Sequence, residues 1–416
     1  MNYRIWHSSE SFADFIIDNT ILTVRNTTKS ILPDSDASKP KQFHKVPDHL
    51  KKILYLDAPD IIIEFDNEPI LAIEESREAG TGHNAFQRFS RLAAAVENGV
   101  PTFYVYPEAT IISRQNSNPR WDKINPLIFK ALDDVMDIYN KPVLLYYYPT
   151  DYRTHTTTPL ISTNFINKNK GRRMETNMNY AGCPEIQDTQ MQEMFTHINL
   201  LVNEVEQNGI QAVQQFIRKR EVRNKRDWMR TEYTNKNGSL NASPLTSSIE
   251  LPTQYLINFL SSYNNRNYDI NDSELLNSRA TTLFYYTGSK WRPQGDPFTG
   301  CLAAIDYIKC RIGQTFEDRD VNLVMVWGSM NIDHQNQTFT VDSTNCSVDD
   351  FAKQAETGEK RSLLLKGYHN ISNEEIPRYY MHARYGSTYS KPKPIRIFSY
   401  FADAILFTDG SLWRDA

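Results

Sequence analysis

The run PDIIIEFDNEPILAIEES, residues 59–76, constrains this chain more than any other stretch. Two β-branched segments, DAPDIIIEF and ILAIEES, flank the cluster Asp66-Asn67-Glu68-Pro69, a pattern that predicts two strands folded back as a hairpin. Alternate side chains of an extended strand share a face. Ile70, Ala72, Glu74 and Ser76 therefore fall on one side of the second strand, with Leu71, Ile73, Glu75 and Arg77 on the other. Asp60 opens the first strand, and Glu64 follows on its face four residues later. Pairing through a turn at Asn67-Glu68-Pro69 would gather carboxylates from both strands at the open end. Two acidic side chains and a backbone carbonyl make a hard-oxygen donor set suited to Mg²⁺, which keeps several waters and takes a phosphate oxygen. A divalent ion in such a set activates water and offsets charge developing at a phosphoryl centre.

The surrounding pattern predicts an α/β arrangement, with a mixed central sheet flanked by helices, for residues 1–150. SSESFADFIID reads as a helix opened by a serine cap, and ILTVR (21–25) as a strand. Residues 27–50 read as a loop. After the hairpin comes a helix, HNAFQRFSRLAAAVENG, closed by Gly99, then the strand VPTFYVYP, a helix near 122–138 and the strand PVLLYYYP. In the first of these helices Phe86, Phe89, Ala93 and Val96 form an apolar stripe, and His83, Gln87 and Arg91 a polar one. Ordinary amphipathicity accounts for those stripes as well as a site-facing role does.

The hairpin and helix together resemble the PD-(D/E)XK nuclease superfamily, which includes most type II restriction endonucleases. The resemblance rests on Pro59-Asp60, a gap of thirteen residues, Glu74-Glu75-Ser76, the helix bearing Gln87, and the element order of about a third of the chain. It implies a restriction-endonuclease-like core in which Asp60 and Glu74 bind metal, the Glu75 carbonyl assists, and Gln87 reaches the metal or the scissile phosphate. The implied cofactor is Mg²⁺, with Mn²⁺ able to substitute, and the products carry 5′-phosphates. The chain departs from the family at Ser76, where a lysine is expected. A hydroxyl supplies no fixed positive charge. Arg77, His83 and Arg88 are the nearest replacements, a second metal is another, and a scaffold that no longer cleaves is a third. The register Glu75-Ser76-Arg77 restores a cation but takes the acid off Asp60's face.

Beyond residue 150 the texture changes. A polar segment carries Lys168, Lys170, Arg172 and Arg173, and a long helical pattern runs over 185–230. Its end, IRKREVRNKRDWMR, holds seven cations in thirteen residues: Arg218, Lys219, Arg220, Arg223, Lys225, Arg226 and Arg230. A solvated helix end is the plainer reading of that run, but its density favours contact with phosphates. Residues 151–416 are then a mixed α+β region that binds and reads duplex DNA, with a split near 235–248. A palindromic target would call for a homodimer.

Net charge is −4, which argues against a protein that coats nucleic acid, although acidic metal ligands can offset a basic groove. No apolar run is long enough to span a bilayer and no leader pattern opens the chain, so the expectation is a cytoplasmic protein without a membrane partner. Cys183, Cys301, Cys310 and Cys346 lack zinc-ligand spacing and read as reduced thiols. His197, His334, His369 and His382 are scattered and read as structural, and no phosphate-binding glycine loop or nucleophile elbow occurs. The expected function is Mg²⁺-dependent, sequence-specific cleavage of double-stranded DNA. A nuclease for single strands or RNA, and a non-catalytic nucleic-acid binder, are the alternatives.

Overall fold

The computed structural model describes residues 2–33, 45–54, 58–76, 92, 95–112, 120–124, 126–148, 184, 186–237, 248–263, 269–271, 273–286, 321–326, 329–342, 403–406, 410 and 412–413. The chain divides into two units, Met1–Asn241 and Ala242–Ala416, each taken by itself below. The division falls within the 235–248 segment, so the first unit continues well past position 150 and takes in the helices built from 189–237.

In the first unit the strands are β1 (Tyr3–His7), β2 (Thr27–Ile31), β3 (Ile61–Phe65), β4 (Glu68–Glu75), β5 (Thr102–Pro107), β6 (Ala109–Ile112), β7 (Arg120–Lys123) and β8 (Val143–Tyr148). Six of them form one mixed sheet in the order β2-β1-β3-β4-β5-β8, while β6 and β7 make a separate hairpin. β3 pairs antiparallel with β1 on one side and with β4 on the other, and β4, β5 and β8 run parallel. β3, β4, β5 and β8 are buried on both faces, which is why their sequences are almost continuously apolar. A mixed sheet flanked by helices was expected, and it is what forms.

Five details differ from the sequence reading. Residues 3–7 form an inner strand that the reading passed over. The 21–25 segment is a 3-10 turn, Ile21–Val24, because only Leu22 finds the core while Val24 stays exposed, a burial spacing no paired strand would give. Thr27–Ile31, read as loop, pairs in parallel with β1. The helix expected from 122 begins only at Leu127, after Pro126, whose ring suits a helix start, and 120–123 pairs as β7 instead. The long 185–230 helix is broken where Gly209 adopts φ +74°, a left-handed conformation that ends the first segment.

The hairpin turn also sits one residue earlier than expected. Asp66 and Asn67 both take positive φ (47° and 69°), the pattern of a two-residue turn that matches strand twist. Pairing then starts Phe65↔Glu68 and Glu64↔Pro69, but continues Ile63↔Leu71, Ile62↔Ala72, Ile61↔Ile73. Ile70 is the extra residue of a β-bulge, placed beside a proline that has no N–H to give the ladder. The shift matters for the site. Carried one residue further, the observed register sets Asp60 opposite Glu74, whereas an unbulged hairpin would set it opposite Ile73.

Helices cover both faces. α1 (Glu10–Asp18) and α4 (Thr189–Asn208) pack on one side, where Phe15 meets Phe195 and Tyr3 donates to Glu206. α2 (Asp48–Leu54) and α3 (Leu127–Tyr139) cover the other, where His49 pairs with Glu64 and Phe129 meets Tyr147. α5 (Arg220–Asn237) lies along the edge strand β8: Trp228 packs on Phe129 and Tyr147, and Lys225 sits over Tyr146 of the opposite face. An edge strand so covered is not available for stray pairing.

The second unit has its own sheet, β15-β14-β11-β10-β9, built from β9 (Ser248–Pro252), β10 (Thr281–Tyr286), β11 (Val321–Val326), β14 (Ala404–Leu406) and β15 (Leu412–Trp413). The hairpin β12 (Ser329–Asp333) and β13 (Thr338–Asp342) and the helix α6 (Gln254–Ser261) pack with it through Phe259, Phe284 and Phe339. The run β9-β10-β11-β14 repeats the directions of β3-β4-β5-β8, one antiparallel pairing followed by two parallel ones. No helix among the described residues is long and apolar enough to cross a membrane.

Candidate metal centre

Asp60, Ile62 and Glu64 share a face of the sheet with Ala72 and Glu74, and Tyr104 is Glu74's partner on β5. Asp60 lies just before β3, between the end of β1 and the end of β4. Its Oδ1 accepts a hydrogen bond from the Ser8 hydroxyl at 2.6 Å, and its Oδ2 accepts one from the Glu75 N–H at 2.9 Å. The Ser8 N–H also donates to the Asp60 carbonyl at 2.8 Å. The carboxylate is thus held from both neighbouring strands, one bond on each oxygen. A carboxylate offers about four lone-pair sites, so two remain for a cation. Glu74 is fully buried on the same face, and Ser76 follows it there, its carbonyl accepting from the Tyr148 hydroxyl at 3.1 Å.

Glu75 points to the other face, as the strand's alternation requires, and contributes its N–H to Asp60. Glu64 is also fully buried but lies toward the turn, where its Oε1 meets His49 Nε2 at 2.5 Å. It is a helix anchor, remote along the strand from Asp60. Gln87, Arg77, Arg88, His83 and Arg91 lie outside the described residues, as do Lys168, Lys170, Arg172 and Arg173. The four cysteines and His369 and His382 lie outside them too.

Among the described residues no group of three or more His, Cys, Asp or Glu side chains is spaced to hold a metal ion. What Asp60 and Glu74 offer is a two-carboxylate set, whose remaining positions would fall to backbone carbonyl, water and a substrate oxygen. That is the donor chemistry Mg²⁺ prefers and zinc does not. The ion that the resemblance implies takes oxygen donors of this kind.

Sequence reasoning missed Ser8. The SSESF segment carried a helix-cap signal, but the residue at the cap, Ser9, makes no side-chain cap bond, and its neighbour reaches Asp60 across 52 positions instead. Nothing local in the sequence marks that contact. Glu108, buried at the end of β5, was also not singled out.

The basic run divides into two classes. Arg218, Arg220 and Arg223 are exposed. Lys219 pairs with Glu204 at 2.5 Å, Arg226 with Asp133 at 2.5 Å and with Asp137, and Arg230 with Asp133 at 2.9 Å. Lys225 is fully buried, bonded to Glu193 at 2.7 Å and to Gln190, with its ammonium 3.8 Å above the Trp228 ring. Burial pushes its pKa down to about 8. Lys219, Lys225 and Arg226, expected to contact phosphates, each meet an intramolecular partner. The run also opens its helix rather than closing it, so the dipole of a helix C-terminus does not explain it.

His197 and His334, read from the sequence as structural, each meet a tyrosine hydroxyl. His197 Nδ1 lies 2.6 Å from the Tyr146 hydroxyl, and His334 Nδ1 lies 3.2 Å from that of Tyr255. Asp403, just before β14, accepts from the Leu323 N–H of β11 at 2.9 Å. No protein-family model, curated protein or solved structure matches this chain.

Proposed function

We propose that the first unit is a divalent-metal-dependent nuclease acting on double-stranded DNA, with Asp60 and Glu74 as its metal-binding side chains. One observation carries the reading: a bulged register sets the two carboxylates opposite each other on one face, with Asp60 tied on each oxygen. The ion supplies activation of water and offset of charge at the scissile phosphate. The chain's own part is to hold two hard anionic donors at fixed spacing and to keep Asp60's open lone pairs directed away from Ser8 and Glu75. Arg218, Arg220 and Arg223, exposed near the start of α5, are the described cations fitted to contact the phosphate backbone. Discrete cleavage with 5′-phosphate ends, by a two-fold dimer, is the specific form of the proposal.

Ser76 favours a second reading. It occupies the face of Glu74 two positions on, fully buried, with no charge to give the reaction. A nucleic-acid binder that does not cleave would need none. Plasmid digestion in Mg²⁺ and in Mn²⁺, with end sequencing, separates the two. The nuclease reading expects discrete fragments from the native chain and none from Asp60→Asn or Glu74→Gln, both of which still bind DNA. Cleavage undiminished in both variants would remove the site assignment. Tight DNA binding with no metal bound at millimolar concentration would install the binder.

A further inference from the structure

We infer that Ser8 is the positioning residue of the metal centre: its hydroxyl orients the Asp60 carboxylate for cation binding. The inference rests on the proposed function and adds to it a residue that the metal itself would not touch. Ser8 grips Asp60 at two points, hydroxyl to Oδ1 at 2.6 Å and backbone N–H to carbonyl at 2.8 Å. The second contact extends the β1–β3 ladder past His7↔Ile61, so it fixes where Ser8 stands relative to Asp60. The first then turns the carboxylate about its own bond. The Glu75 N–H takes the other oxygen from the β4 side at 2.9 Å. A free aspartate samples several rotamers, and holding it in one removes an ordering cost that cation binding would otherwise bear.

The division of labour is chemical. The Glu75 bond comes from backbone and survives any side-chain change, whereas the Ser8 bond depends on a hydroxyl. Ser8 is also only half-buried, so its loss leaves no sealed cavity. It has no other role in evidence: the helix cap position beside it belongs to Ser9. A hydrogen bond to a ligating carboxylate typically sets metal affinity by 10–100-fold, roughly the range seen when outer-sphere partners are removed.

The test is a Mn²⁺ titration of the full chain followed by electron paramagnetic resonance, without nucleic acid, comparing native protein with Ser8→Ala, Ser8→Thr, Ser8→Cys and Asp60→Asn. Ser8→Ala should weaken Mn²⁺ binding about 10-fold or more. Ser8→Thr should restore it, Ser8→Cys, a weak donor of similar size, should fall between, and Asp60→Asn should abolish it. Thermal melting should be nearly the same for all the Ser8 variants. Native-like Mn²⁺ affinity in Ser8→Ala, with Asp60→Asn inactive in binding, overturns the role of Ser8 and leaves the nuclease reading standing. Failure of Ser8→Thr to rescue overturns it as well, because the hydroxyl would not be what matters. A native chain that binds no Mn²⁺ takes down both. If Ser8→Ala does not fold, the order of affinity native, Thr, Cys decides, and equal affinity in all three counts against the inference.

Discussion

At the scale of single residues, Lys225 shows how far a side chain's role can lie from its local sequence. Within IRKREVRNKRDWMR it is one cation among seven, yet its ammonium is buried between Glu193, Gln190 and the rings of Trp228 and Tyr146. Those partners come from three elements, two of them more than thirty positions away, so no windowed reading could assemble them. Burial is the largest influence on its pKa, lowering it to about 8 against the attraction of Glu193 and Glu232. The unfolded chain therefore holds more protons than the folded one between about pH 8 and the ordinary lysine value, and stability rises with pH through that window. At pH 7 the folded state carries an electrostatic cost on the order of 3 kcal/mol from this group. Lys225→Met should accordingly leave stability at pH 7 equal or higher, since Glu193 is partly solvated and is not stranded when its partner goes. It should also flatten the rise between pH 8 and 9.5. Urea denaturation at pH 7, 8.5 and 9.5 checks both, kept below the range where the buried Tyr146, held protonated by burial, contributes with opposite sign. A native-like slope in Lys225→Met would contradict the argument.

At the scale of elements, what was legible followed from burial. β3, β4, β5 and β8 are buried on both faces and announced themselves as apolar runs, whereas β2, exposed along most of its length, read as loop. Helix partners were not legible, because ion pairs between helices leave no mark on either one alone. α3 and α5 are the clearest instance. Arg226 and Arg230 converge on Asp133, and Arg226 also reaches Asp137. Arg226 and Asp133 are both more than four-fifths buried, so their coupling should exceed that of a surface pair. A double-mutant cycle of Arg226→Ala and Asp133→Ala should return a coupling of about 1–2 kcal/mol. Each survivor of a single substitution keeps a second partner, Asp137 for Arg226 and Arg230 for Asp133, so neither charge is stranded and the coupling stays in that range. Additive losses in chemical denaturation would show that the pair does not act as a unit.

At the scale of the molecule, net charge gave only a weak bound on partners. A chain at −4 can still present a local cationic patch, and of the run of seven the exposed Arg218, Arg220 and Arg223 stand outside the ion pairs described above. These stand within the turn preceding α5 and its first residues, where the partial positive charge of the helix start adds to theirs. If DNA is the partner, a triple Arg218→Ala, Arg220→Ala, Arg223→Ala change should lower the slope of log affinity against log salt by up to about 3, near 0.9 per lost phosphate contact. Arg226→Ala should leave that slope unchanged. Fluorescence anisotropy with duplex DNA across a salt series makes the comparison, and equal slopes in all three proteins would dismiss the patch. The division between units was legible as a polar segment near 235–248, but the extent of the first unit was not. Its boundary depends on 189–237 packing on the sheet, a tertiary fact with no local signature.

The bulge at Ile70 has a hereditary consequence. Losing the codon for Ile70 would straighten the strand and still leave Glu74 across from Asp60, since the extra residue is the one removed. Gaining or losing a codon anywhere over 71–73 would transfer the acid to the opposite face with every site residue still spelled in the gene. Descendants of this hairpin are therefore expected to differ in length next to the proline and hardly ever beyond it, and a gap placed four positions too late would pair Glu74 with the wrong column.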